Sequence, residues 1–188
     1  MKSIYRRHVQ EVLDRQLPST FPAYAVQPIK LSKLERKGAT LFTGSRLYSR
    51  PVPEGTLFIH LIPHPRQERF QAEVGWSATD RFPIELSSHG PLTKPANELL
   101  EPEWLIDFGE LYHRKHSLGF LGWSVWECTA SPDDPNFVQI FMEEDLALVT
   151  EDQARKKAEA AVAVCLSDLR DVAIPYLEEW IKTRRARA

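Results

Sequence analysis

The chain has 188 residues, 43% hydrophobic and 27% charged, with a formal net charge of −2 at pH 7. That balance excludes a disordered chain, and the length suits one globular domain over residues 1–188 with a core of its own. No apolar run is long enough for a membrane span, and "MKSIYRRHVQEVLDRQ" lacks the apolar segment of a signal peptide.

The only cysteines, Cys128 and Cys165, are single and far apart, which argues against a disulfide framework or a cysteine zinc site and favours the cytoplasm. Charge is spread unevenly. Residues 1–70 hold 12 Lys/Arg against 5 Asp/Glu, residues 71–150 hold 4 against 14, and residues 151–188 hold 8 against 7. Such asymmetry points either to charged partner surfaces or to segments that neutralise one another on folding.

In chain order, Tyr5, Val9, Val12 and Leu13 share one face of a helix expected from Ser3 to Gln16, with Pro18 ending it. "STFPAYAVQPIKLSKLERKG" reads as irregular. "ATLFTGSRLYS" reads as a strand, followed by a turn at Pro51, Pro53 and Gly55. "TLFIHLI" is apolar almost throughout, as in a strand buried on both faces. "RFQAEVGWS" alternates, with Phe70, Ala72, Val74 and Trp76 on one side and Gln71 and Glu73 on the other.

"PLTKPANELLEPEW" is loop-like, with Pro102 placed to open a short helix. Trp104, Leu105, Phe108, Leu111 and Tyr112 then fall on one helical face. "GFLGWSVWECTA" and "NFVQIFME" read as two further strands joined by "SPDDPN". Thr150 and Gln153 form a capping box for a long helix with an apolar stripe from Ala154 to Ala173, which Pro175 should kink. The basic end, 182–188, is expected to fray. The expected fold is α+β: a single antiparallel sheet of four to six strands, with the N- and C-terminal helices packed on one face.

His60 and His64 in "FIHLIPHPR" do not read as a metal pair, because an extended strand sets them about 13 Å apart. A turn over 63–69 pairs Ile62 with Phe70 and sets His60 opposite Ala72, on the face of Phe58, Val74 and Trp76. His113 and His116 read as a solvated helix end. "GWSAT" and "GWSVW" lack the second glycine of a nucleophile elbow, and no phosphate-binding glycine pattern, metal site or cofactor motif occurs.

His60 with a strand carboxylate, Glu73 or Glu127, is a candidate acid–base combination, and the two carboxylates could themselves serve if they met across the sheet. Trp76, Trp123 and Trp126 are the aromatic binding candidates. Trp123 and Trp126 are three residues apart, so in a regular strand they point to opposite faces.

The run "FQAEVGWSATDRFP", with "IPYLEEW" near the C-terminus, resembles a bacterial domain-of-unknown-function family with an N-terminal helix, an antiparallel sheet and a long C-terminal helix. The resemblance implies a bacterial origin and transfers no functional residue.

The leading expectation is a non-catalytic protein-interaction domain, immunity- or adaptor-like, whose acidic middle segment steers a basic protein partner. One alternative is a small-molecule hydrolase using the strand histidine and a carboxylate. The other is a weak, non-specific nucleic-acid binder using Arg6, Arg7, Lys30, Lys33, Arg36, Lys37, Arg184, Arg185 and Arg187.

Overall fold

The structure, a computed structural model, describes residues 1–28, 44–64, 67–78, 81–83 and 103–185. Helix α1, Ser3–Thr20, buries Tyr5, His8, Val9, Val12, Leu13 and Leu17, the stripe that its spacing dictates. It does not stop at Pro18. The proline removes one N–H only, and the final turn is closed by Ser19 and Thr20, whose hydroxyls donate to the carbonyls of Arg15 and Gln16 at 3.2 and 2.9 Å.

Among the described residues six strands follow in one antiparallel sheet: β1 (Ala25–Gln27), β2 (Arg46–Val52), β3 (Gly55–Pro63), β4 (Arg69–Ser77), β5 (Glu103–Asp107) and β6 (Trp123–Ser124). The order is β1-β2-β3-β4-β5, and β6 also pairs with β4. The segment expected to be irregular after Pro18 thus contributes a short edge strand. The start of the "ATLFTGSRLYS" strand, the Pro102 helix start and residues 186–188 lie outside the described residues.

The β3–β4 register is one residue away from the expected one. Pro63, not Ile62, pairs with Phe70, so His60 pairs with Glu73 rather than Ala72. A one-residue shift exchanges faces, so His60 shares its side with Glu73 and Gly75, not with Val74 and Trp76. The shorter turn is closed by the His64 amide donating to the Arg69 carbonyl at 2.8 Å.

Each face has its own apolar layer. Tyr48, Leu57, Ile59, Leu61, Ala72, Val74, Trp76, Trp104 and Ile106 lie on the side where the terminal helices pack. Leu47, Phe58, Ile62 and Leu105 are buried on the other side, where Phe82 packs edge-on against Phe58.

Two expectations for the middle of the chain are corrected. Trp104 and Leu105 belong to β5, and helix α2 runs only from Phe108 to His116, with the Asp107 carboxylate accepting from the Gly109 amide at 2.7 Å. Both faces of β5 are buried, so its sequence shows no alternation and mimics a helical face. "NFVQIFME" is not a strand but part of helix α3, Phe137–Leu146. Of the strand expected before it, only Trp123 and Ser124 lie in the sheet, which leaves little for it to pair with.

Helix α4, Glu151–Asp168, starts at the expected capping box, with Thr150 and Gln153 bonded reciprocally at 3.1 and 3.3 Å. Ala154, Ala158 and Ala161 on its buried face keep α1 close. At Leu169–Ala173 the helix widens to a π-turn, then continues as α5, Ile174–Arg185. Pro175 therefore bulges the helix rather than ending it. The end expected to fray from residue 182 stays helical through Arg185, where Arg184 stacks over Trp76 at 4.0 Å and Arg185 pairs with Glu54. No helix of the described residues is long and apolar enough to cross a membrane.

Candidate functional site

His60 and Glu73 meet across β3 and β4. Direct pairing in the register puts both side chains on one face, and Nδ1 of His60 lies 3.3 Å from Oε2 of Glu73. The two are 0% and 2% exposed, and Phe82 packs edge-on against the imidazole with ring centroids 4.9 Å apart. A buried acid–base pair is therefore present, with an aromatic ring packed against it.

Glu127 is not part of it. The residue lies in the loop after β6, exposed to solvent, because only Trp123 and Ser124 of the expected strand pair with β4. Among the described residues, no group of three or more His, Cys, Asp or Glu is placed to hold a metal ion.

The three tryptophans separate. Trp76 is in the helix-side core, against Trp180 at 4.7 Å. Trp123 is also buried, its indole N–H donating to Asp168 of α4 at 2.8 Å. Trp126 is half-buried and lines an open groove of about 760 Å³. Arg69, Leu121, Glu127, Phe137 and Phe141 line it as well.

Local chemistry explains the shape of this groove. Gly122, at φ +106°, turns the chain onto β4 so closely that a Cβ there would lie 2.7 Å from the Phe70 carbonyl oxygen. Arg69 donates to the Leu121 carbonyl at 3.0 Å and holds that lip in place. On the other wall, Phe141 packs edge-on against Trp126 at 5.5 Å and tilts against Phe137 at 5.9 Å. The foot of the wall is tied by Glu144, which accepts from the amide of Thr129 at 3.1 Å and from its hydroxyl. These donors, chiefly the hydroxyl, hold the Glu144 carboxyl below its ordinary pKa.

Among its described side chains helix α3 has no fully buried one, although Phe137, Val138, Ile140, Phe141 and Met142 make it apolar. Val138 is 69% exposed and Met142 56%. Across the groove, Leu121 is 72% exposed. The sequence carries a signal for this face. Residues 116–154 contain no Lys or Arg and eight Asp/Glu, and Phe137/Phe141 and Val138/Met142 recur at i, i+4. Reading "NFVQIFME" as a strand put those pairs on a sheet instead.

The described cations of the nucleic-acid set are engaged. Arg6 donates to the Met1 carbonyl, Arg7 pairs with Glu151, Arg184 stacks on Trp76 and Trp180, and Arg185 pairs with Glu54. Lys30, Lys33, Arg36, Lys37 and Arg187 lie outside the described residues.

Compared with known proteins, the chain matches no family model, no curated protein and no solved structure.

Proposed function

We propose that the chain is a non-catalytic interaction domain that takes a basic protein partner, in the manner of an immunity or adaptor protein, in the cytoplasm of a bacterium. One observation carries the reading: an apolar helix, α3, holds Val138 and Met142 in solvent inside a stretch of sequence, 116–154, that has acidic residues and no Lys or Arg. Exposed contiguous apolar surface rimmed by charge marks binding faces. Charge of one sign speeds and orients encounter with a partner of the other. The free thiols of Cys128 and Cys165 support a reducing compartment.

The His60–Glu73 contact favours a second reading, acid–base hydrolysis, but its burial under Phe82 leaves no described opening for a substrate. The groove beside Trp126 is not lined by either residue.

Affinity purification from the native host tests the proposal, with Glu127→Lys, Glu143→Lys chain as the comparison. The expected result is a basic protein retained by the native chain and depleted by the variant. Equal recovery of every protein by both, together with turnover of a small molecule that His60→Ala abolishes, would replace this reading with the enzymatic one.

A further inference from the structure

Helix α3 offers two adjacent apolar rows. Phe137 and Phe141 face the groove, whereas Val138 and Met142 lie outside its lining and remain in solvent. A small molecule in the groove would leave the outer row wet. An object that covers both rows must extend along the helix, which for ten residues is about 15 Å.

Acidic residues flank this ridge: Asp133 and Asp134 before it, Glu143 and Glu144 near its end, and Glu127 in the groove lining. Among the described lining residues Arg69 is the one cation, and it is bonded to the Leu121 carbonyl. A second copy of the chain laid on α3 would set these carboxylates against their own kind. A segment with apolar residues on one face and Lys or Arg on the other satisfies both rows and the rim.

We propose that α3 and the groove beneath it dock a basic amphipathic helix of the partner, with one large apolar side chain seated against Trp126 and Phe141. This rests on the reading of the chain as an interaction domain and specifies what the partner presents. Docking of an amphipathic helix in an apolar groove follows i, i+3, i+4, i+7 anchors, and the anchor at the centre carries the most energy.

The test uses the full chain and a fluorescent peptide of about four helical turns, built from Leu and Lys with the leucines on one face. A Leu/Glu peptide of the same pattern is the control. Anisotropy should show saturable binding of the Leu/Lys peptide, and little of the Leu/Glu peptide. Val138→Asp with Met142→Asp should weaken binding at least about tenfold, with an unchanged melting temperature, since neither residue is buried. Val138→Ser with Met142→Ser should weaken it in the same direction and serves if the aspartates perturb folding. Glu127→Lys with Glu143→Lys should also weaken it, and more so at low salt.

Binding that is equal for native chain and variants, or equal for both peptides, overturns the proposal. So does a dimer by light scattering that Val138→Asp dissolves, which would make the occupant a second copy. No binding of the peptide, with a basic host protein still captured by the Val138→Asp, Met142→Asp chain, overturns this docking mode while the interaction reading stands.

Discussion

Lys115, at the end of α2, donates its ammonium to the main-chain carbonyl of Asp171 in the π-turn. In a regular α-helix that carbonyl would accept from the amide of residue 175, which is proline and has none. The Ile174 amide reaches back five residues to Leu169 instead. Lys115→Met should cost about 0.5–1 kcal/mol, the range for a hydrogen bond made at an exposed site. In a Pro175→Ala background, where an N–H is restored, the same change should cost less. Additive effects in urea denaturation would show that Lys115 and Pro175 are not coupled.

Leu166 is on the buried stripe of α4 and Val164 is two residues away with its side chain 56% exposed. Leu166→Asp should destabilise by about 4 kcal/mol or more, from lost packing and a buried charge. Val164→Asp should stay within about 0.5 kcal/mol of the native chain. Thermal melts of the two variants would have to differ widely, and similar melts would mean that the helix is rotated from the face assigned here.

The contact between His60 and Glu73 is expected to be structural. Glu73→Ala removes the carboxylate 3.3 Å from Nδ1 of a fully buried imidazole. The cost should be about 1–3 kcal/mol, the range for truncating one side of a buried polar contact. Replacing both residues by leucine should cost less than the two single losses combined. A chemical-denaturation cycle over the four proteins measures the coupling.

Glu151 joins α4 to α1 by accepting from Arg7 and from Nε2 of His8, the latter at 2.7 Å. These bonds, chiefly that from Arg7, lower its pKa from the ordinary 4.5. A depressed carboxylate pKa adds stability that is complete above the unfolded value and is lost as pH falls through the folded one. Glu151→Gln should therefore lower the melting temperature at neutral pH, and the gap should narrow as the pH drops below 4.5. A gap constant with pH would exclude this linkage.

Patterns backed by one-sided burial were readable before the structure. Tyr5, Val9, Val12 and Leu13 gave α1, and the Thr150–Gln153 box gave the start of α4. In β5, where both sides are buried, the spacing of Trp104 and Leu105 fits a helical face as well as a strand. The register of β3 and β4 hung on one turn residue, and pairing Ile62 with Phe70 concealed the meeting of His60 with Glu73. Helix α3 was hidden for the opposite reason. Val138 and Met142 stand in solvent and Phe141 meets only the half-buried Trp126 and its helix neighbour Phe137 among the ring contacts described, so no core requirement discloses whether the period is two or 3.6.

The modest anchoring of α3, through the Trp126–Phe141 ring contact and the Glu144–Thr129 bonds, sets its timescale apart from that of the sheet. Opening it exposes little apolar area that is not already wet, so its amides should exchange with solvent through local excursions, while those of β3 and β4 wait for global unfolding. A protease can then cut near α3 without first dismantling the core, and occupancy of the face would be read out as protection.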